Sequence, residues 1–463
     1  MRNLLIVILF FSSLRIFAEK PLQIIDSLRT QVELTQGESR VESLIKLSEA
    51  YRNVHFDDCI DYGMIAIDEA RLLKNKKLEA KTYKSLGVSS YFAGKFNKAI
   101  EFYSAGISLY EKTEDNSGLA ACFNNLGLVY EDKGEFDTAF NYYHKSYNYE
   151  ELLENKRGMA ISLLSMGNIK YHQDEMGASL DNYFECLQLF QSLNDKSGIA
   201  YAFNAIGIIY FEWGKTEKAK FYFEKAQKIY IETNDETGLA KVYTNLGELF
   251  DKEQKEYKIA LEYFNKSLAI KKKENDQIGI ALLYNNLGTL YGHLEDYKTA
   301  LGFFRKSLGI YKETGSNTGL VMVHFNLGNI YKSMEEDDKA IDEFIESLDL
   351  ARKTQMSDFV VKCNEQLMIC YALKSPDNKL FQKYYDIYKI NLDSTIDKLQ
   401  STQIKNIETK YHINKLLERR KNLEEQNIEK DRLIKKLKML MAGIGSIVIL
   451  LIFIYIVFIK PKH

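Results

Sequence analysis

Proline is nearly absent from this chain: three residues in 463, at Pro21, Pro376 and Pro461. Proline removes a backbone donor and clashes with the preceding turn, so its absence leaves the whole stretch from 22 to 375 free to form helix. An excess of charge of one sign is absent too. Lys plus Arg (62) nearly cancels Asp plus Glu (64), which excludes nucleic-acid binding driven by the field of the whole chain. The five cysteines, Cys59, Cys122, Cys186, Cys363 and Cys370, are odd in number and show no Cys-x-x-Cys pair. Cys363 and Cys370 would stand ~10 Å apart in one helix, beyond the span of a disulfide. They read as small buried apolar residues, not as a disulfide framework or a metal set. The seven histidines (His55, His144, His172, His293, His324, His412, His463) are dispersed. No His-Glu-x-x-His, Gly-x-Ser-x-Gly, Walker or Rossmann glycine pattern occurs, so no catalytic residue, cofactor or metal is expected. The acidic residues fall on helix faces and at caps, His324 sits on a packed stripe, and Trp213, the one tryptophan, ends a helix as a packing residue.

Long hydrophobic runs occur only near the ends. Met1, Arg2 and Asn3 precede an apolar run from Leu4 to Leu14, and Ala18 offers a small residue before Glu19, the outline of a signal peptide over 1–18. Ile16 stands where a small residue is preferred and Arg15 follows the apolar core, so an uncleaved anchor is the alternative. Leu440 to Ile459 carries no charge over twenty residues, and is bracketed by Lys438 and Lys460. At about 1.5 Å per residue it matches the ~30 Å hydrocarbon core, and a transmembrane helix is expected. Two rules then disagree on orientation. Export by the first segment places residues 19–439 in the periplasm of a bacterial inner membrane. The basic residues before the span (Arg419, Arg420, Lys421, Lys430, Arg432, Lys435, Lys436, Lys438) outnumber the two after it, which points to a cytoplasmic scaffold. The periplasmic reading is preferred, because the first segment usually sets topology and Glu424, Glu425, Glu429 and Asp431 dilute the basic run.

Between these segments a repeat dominates. Gly87, Gly127, Gly167, Gly207, Gly247, Gly288 and Gly328 follow one another at 40 residues, with one step of 41. Ala99, Ala139, Ala219, Ala300 and Ala340 lie twelve residues after a glycine, Ala260 is displaced by the single insertion, and Ser179 departs from the pattern. Aromatics follow: Phe102 and Tyr103, Tyr142 and Tyr143, Tyr183 and Phe184, Tyr222 and Phe223, Tyr263 and Phe264, Phe303 and Phe304, and Phe344. The pattern predicts antiparallel helix pairs in which glycine and alanine let backbones approach and the aromatics fill the space between one pair and the next. The joins read Asp115-x-x-Gly118, Asn155-x-x-Gly158, Asp195-x-x-Gly198, Asp235-x-x-Gly238, Asp276-x-x-Gly279 and Ser316-x-x-Gly319, each opening on a good N-cap.

Asn-Leu-Gly-x-x-Tyr at 125–130, 286–291 and 326–331, followed by the alanine and the aromatics, resembles the tetratricopeptide repeat in a 40-residue form. The resemblance, over residues 40–395, implies an all-α superhelix, which a long charged helix and the membrane span are expected to follow. The expected order is a signal peptide (1–18), N-terminal helices with a degenerate repeat (19–78), seven repeats (79–357), a degenerate repeat (358–395), a charged helix or weak coiled coil (396–439), the span (440–459) and a basic tail (460–463). It also implies that the first helix of each pair lines the concave groove. Asn124, Asn125, Asn204, Asn245, Asn285, Asn286 and Asn326 then face that groove, where a row of amides would bind the backbone of an extended peptide or protein segment. As ordinary solvated positions they would do nothing of the kind. If the groove binds, changing Asn245, Asn286 and Asn326 together to alanine is expected to weaken partner capture while leaving helicity and melting unchanged.

From Leu399 to Lys438 a seven-residue rhythm runs Leu416, Arg420, Leu423, Asn427, Lys430, Ile434, Leu437, Met441. It fits a weak parallel coiled coil, making a homodimer, or a single solvated helix. The order of parts resembles the periplasmic sensor half of repeat-containing histidine kinases and LuxR-type regulators of the Bacteroidota. The chain departs from that pattern in ending four residues after Ile459, with no kinase or DNA-reading domain. The expectations are a non-enzymatic, membrane-anchored module for peptide or protein binding, serving signal transduction; a sensor regulator truncated before its output domain; or a tail-anchored scaffold facing the cytoplasm.

Overall fold

The computed structural model describes residues 23–253 and 255–374, and, beyond them, residues 380, 383, 384, 386, 387, 425, 428–436 and 439. All of its regular structure is helical. Helix α1 (23–34) precedes α2 (Gly37–Tyr51) and α3 (Phe56–Leu72). Seven helix pairs follow: α4 (Lys76–Phe92) with α5 (Phe96–Lys112), α6 (Asn116–Asp132) with α7 (Phe136–Leu152), α8 (Lys156–His172) with α9 (Met176–Ser192), α10 (Lys196–Glu212) with α11 (Thr216–Thr233), α12 (Glu236–Lys252) with α13 (Tyr257–Glu274), α14 (Gln277–His293) with α15 (Tyr297–Thr314), and α16 (Asn317–Ser333) with α17 (Asp337–Lys353). Helix α18 (Ser357–Lys374) begins a further unit.

Each repeated glycine is a socket for a ring. A β-carbon on Gly207 or Gly247 would lie 2.6 Å from the ring of Phe223 or Phe264, and Gly87, Gly127, Gly167, Gly288 and Gly328 meet Tyr103, Tyr143, Tyr183, Phe304 and Phe344 in the same way. These rings, sixteen or seventeen residues on, come from the second helix of the same pair. The sequence pattern placed the aromatics between pairs; this set instead closes each pair from within, because a glycine leaves room for a whole ring face. The glycine of the join is a second socket and does link neighbours. Gly118, Gly198, Gly238 and Gly319 face Tyr110, Phe190, Tyr230 and Tyr311 at the end of the preceding second helix. At two joins the ring is replaced by a polar chain, Glu150 against Gly158 and Lys271 against Gly279.

The join also caps the next helix. The Asp115, Asp195, Asp235 and Asp276 carboxylates accept from the amides of Gly118, Gly198, Gly238 and Gly279 at 2.8–3.0 Å, and Asn155 and Ser316 accept at 3.3 and 3.4 Å. The preceding helix stops on a left-handed residue, Glu114, Asn194, Asn234 or Gly315 among others, which turns the chain within two residues.

A third aromatic cluster packs five of the seven pairs along their edges, as in Phe123 with Tyr142 and Tyr142 with Tyr130, whose centroids lie 6.1 and 5.3 Å apart. The third and seventh pairs break this rule: Leu163 and Asn182 occupy the two positions in the third, and His324 and Glu343 in the seventh, where they meet at 2.6 Å between Nδ1 and Oε2. His324 is therefore packed, as its place on the stripe implied. The flanking units vary the socket. Ser48 replaces the glycine and its hydroxyl donates to the Cys59 carbonyl at 2.6 Å. In α18 Met368 replaces it, and buried Tyr384 stacks on Tyr371 at 5.7 Å instead. All five cysteines are buried free thiols, and burial pushes the Cys122 thiol up to about 12.

First helices of successive pairs touch, as α10 with α12, α12 with α14, α14 with α16 and α16 with α18 do, whereas the second helices pack mainly on first helices. The array therefore curves with its first helices inside. Contacts divide the chain into units at 1–399 and 400–463. In the second unit, described residues 428–436 are helical and expose Ile428, Leu433 and Ile434. No helix among the described residues is long and apolar enough to cross a membrane. The segments 1–18 and 440–459, and most of the 399–438 rhythm, lie outside the described residues.

The socket predicts opposite signs for one substitution. Gly247→Ala gains about 1 kcal/mol of helix propensity but overpacks the Phe264 ring, costing about 1–3 kcal/mol, so the net effect is destabilising. Gly302 has no atom within 4 Å of a β-carbon position, so Gly302→Ala gains about 1 kcal/mol. Urea denaturation of both variants checks the contrast. The caps predict a pH dependence. The Gly198 amide, followed by the Arg157 guanidinium, holds the Asp195 carboxyl below the usual carboxylate range. A depressed folded value means that the contribution is complete above about 3.9, the ordinary value, and is lost as pH falls through the folded one. The stability difference between the wild type and Asp195→Asn should be constant from pH 7 to 5 and shrink below about pH 4.

Candidate concave-groove site

The inner wall is built from four positions on each first helix: six, three and two residues before the repeated glycine and one after it. Helical geometry puts these on one face, beside the face that receives the ring. Where α12, α14, α16 and α18 converge, the wall encloses a cavity of about 290 Å³. Leu282, Met322, Phe325 and Phe359 give it apolar surface, Asn285, Asn286 and Asn326 bring amides, and Glu248, Asp251 and Lys252 line one end.

Three of the seven expected asparagines thus meet in one cavity. Asn204 and Asn245 lie on α10 and α12, and Asn124 and Asn125 sit half-buried on α6. The amides form a ladder between neighbouring first helices. Asn245 Nδ2 donates to Asn204 Oδ1 at 2.8 Å, and Asn326 Nδ2 donates to Asn285 Oδ1 at 3.1 Å. Asn286 Nδ2 donates to Glu248 Oε1 at 2.9 Å. The Asn124 carbonyl oxygen is buried without a partner among the described residues. An amide has two donor hydrogens and two acceptor lone pairs, so one bond fixes its orientation and leaves further capacity. Asn285, only 4 % exposed, accepts through its oxygen while its nitrogen donates to no described residue. The melting expectation is therefore revised. Replacing Asn326 leaves a buried acceptor on the preceding helix unpaired, which costs free energy whatever the groove binds.

The charged end has its own order. Lys252 Nζ lies 3.1 Å from Glu248 Oε2 and 5.6 Å from the centroid of the Phe211 ring. Glu248 above all, with Glu212 and Asp251, holds the Lys252 ammonium above its usual range. Asp251 is 3 % exposed and meets His293 Nδ1 at 2.7 Å. Across the wall, burial and then the carboxylates of Glu212, Glu248, Asp174 and Asp358 push the Tyr171 hydroxyl up to about 12. Sequence reasoning passed over Glu248, Thr289 and Asn168, one residue beyond the glycine. Their signal was present, since that position is one turn on from the residue three before the glycine and shares its face. Asn168 accepts from the Tyr183 hydroxyl at 2.8 Å. No group of three or more His, Cys, Asp or Glu among the described residues could hold a metal ion.

Asn326→Ala should lower stability by about 1–2 kcal/mol, and the double-mutant cycle with Asn285→Ala should return a coupling of about 0.5–1.5 kcal/mol. Additive losses in urea titrations would show that the ladder carries no pairwise energy.

Models of the tetratricopeptide repeat match residues 78–149, 158–232 and 279–353, and a further one matches 240–274, together more than half of the chain. No curated protein matches the sequence. Among solved structures, the apo form of the quorum sensor NprR from B. thuringiensis superposes with a TM-score of 0.56 at 15% identity, over 79% of this chain and 100% of that one. The apo form of RapI gives 0.53 at 19% identity over 60% and 99%. Aspartyl phosphate phosphatase F from Bacillus subtilis gives 0.51 at 13% identity over 80% and 96%. At such identities the likeness is one of fold.

Proposed function

The chain belongs to the tetratricopeptide-repeat family, and from that premise we propose that it is a non-enzymatic interaction module whose concave groove captures an extended peptide or protein segment. The observation that carries this reading is the cavity between α12 and α18, where oriented amides with unused hydrogen-bonding capacity stand beside apolar side chains. Such a wall suits a polypeptide, whose backbone needs donors and acceptors and whose side chains need apolar pockets. The solved neighbour described as a quorum sensor shares the fold. A sensing role in signal transduction is proposed here on the groove, not on that likeness.

We further propose that the module is anchored to a bacterial inner membrane by Leu440 to Ile459, with its repeats in the periplasm. The signal-like start and the charge-free run support this placement. The basic residues before Leu440 favour the opposite orientation, a scaffold facing the cytoplasm.

Two experiments test these readings. Met322→Trp fills the cavity from a half-buried position and keeps every amide of the ladder, and should abolish capture of the chain's cellular partner in crosslinking pull-downs while leaving the melting temperature unchanged. Undiminished capture would remove the groove from the account. Protease added to spheroplasts should degrade the repeats if they are periplasmic; protection would establish the cytoplasmic scaffold.

A further inference from the structure

The charged end of the groove is unbalanced. Glu248 and Asp251 line this end of the cavity with Lys252 and Lys362, and the carboxylates of Glu212 and Asp358 act on the same part of the wall, through Lys252 and Tyr171. Lys362 is committed to Asp358 at 3.3 Å, and buried Asp251 to His293. Glu212 is exposed and forms no ion pair among the described residues. What neutralises the remaining pair of carboxylates is one side chain: Lys252, 51% exposed, which rests on Glu248 and over the Phe211 ring. Carboxylates beside an aromatic face are the environment a guanidinium or ammonium selects. A long, half-exposed lysine can carry its ammonium back into water on leaving. Within the same cavity, the nitrogen of nearly buried Asn285 donates to no described residue and is free to hold a carbonyl of the same ligand.

We propose that the segment bound in this groove carries a basic side chain, whose cationic head displaces the Lys252 ammonium and sits between Glu212 and Glu248 over the Phe211 ring. Lys252 is then a resident stand-in that keeps the acidic end neutral in the empty groove and competes with the ligand. The inference rests on the groove reading above and adds the chemistry of its occupant. It makes a prediction of unusual sign: removing a charged groove residue should tighten binding.

The test uses the full chain, detergent-solubilised, and three synthetic alanine–serine octapeptides bearing two arginines, two citrullines or two glutamates, followed by calorimetry at low and high salt. The arginine peptide should bind at least about tenfold tighter than its citrulline isostere, the size expected for one charge-assisted pair. Lys252→Met should tighten the arginine peptide about threefold. Glu212→Gln combined with Glu248→Gln should weaken it about tenfold or more, and added salt should erode the preference. Equal affinities for the arginine and citrulline peptides, both abolished by Met322→Trp, would overturn this inference and leave the groove reading standing. A preference for the glutamate peptide, or weaker arginine binding by Lys252→Met, would overturn it in favour of an anionic ligand. Binding indifferent to Met322→Trp, or no binding of any of the three at millimolar concentration, would overturn both.

Discussion

A ring seated on a glycine is the contact on which the rest of this array depends. Each of the seven helix pairs closes by laying an aromatic face of the second helix where the first lacks a side chain. The contact needs both partners at once: a β-carbon on the glycine would overlap the ring, and a smaller residue in place of the ring would leave a void. The flanking units show the coupling within one chain. Ser48 replaces the glycine in α2 and a half-exposed Met64 stands where the ring would be. Met368 replaces it in α18 and Tyr384 finds Tyr371 instead.

From that closure the groove follows. Committing one face of every first helix to the ring leaves an adjoining face for the inside of the curve, where first helices touch first helices. Polar side chains on that face are squeezed between neighbours, and a lone amide there would lose its hydration without compensation. The ladder of Asn204 with Asn245 and Asn285 with Asn326 resolves this conflict. The same amides therefore stiffen the wall and present it to a ligand. Where a carboxylate enters the series at Glu248, the ladder continues through Asn286, and a lysine is drawn in to neutralise the charge.

The joins between pairs are less uniform than the pairs themselves. Four of six place a ring against the glycine of the next cap, whereas Glu150 and Lys271 substitute charge for aromatic surface at the others. Lys271 is compensated by Glu274 and Asp276 at 3.1 and 3.0 Å, so the join remains satisfied but loses the apolar area of a ring. The join at Lys271 lies between the helix pairs that supply Glu248 and Asn286 to the cavity.

Much of this was legible in the residues alone. A spacing of 40 with glycine, alanine and paired aromatics, in a stretch without proline, points to a stack of helix pairs, because a small residue on one helix makes room for a large one on its partner. The caps were equally plain, since Asp-x-x-Gly satisfies a local requirement of three residues. Asn285 and Asn326 could be assigned to the groove face by their offset from Leu and Gly. That they bond each other across forty-one residues could not, because the distance depends on the angle between successive pairs. The same angle decides that Glu212, Lys252 and Asp358, on three different helices, share one field. Sequence determined which face each side chain occupies, through the local periodicity of a helix; tertiary structure decided which faces meet, through the packing of rings on glycines.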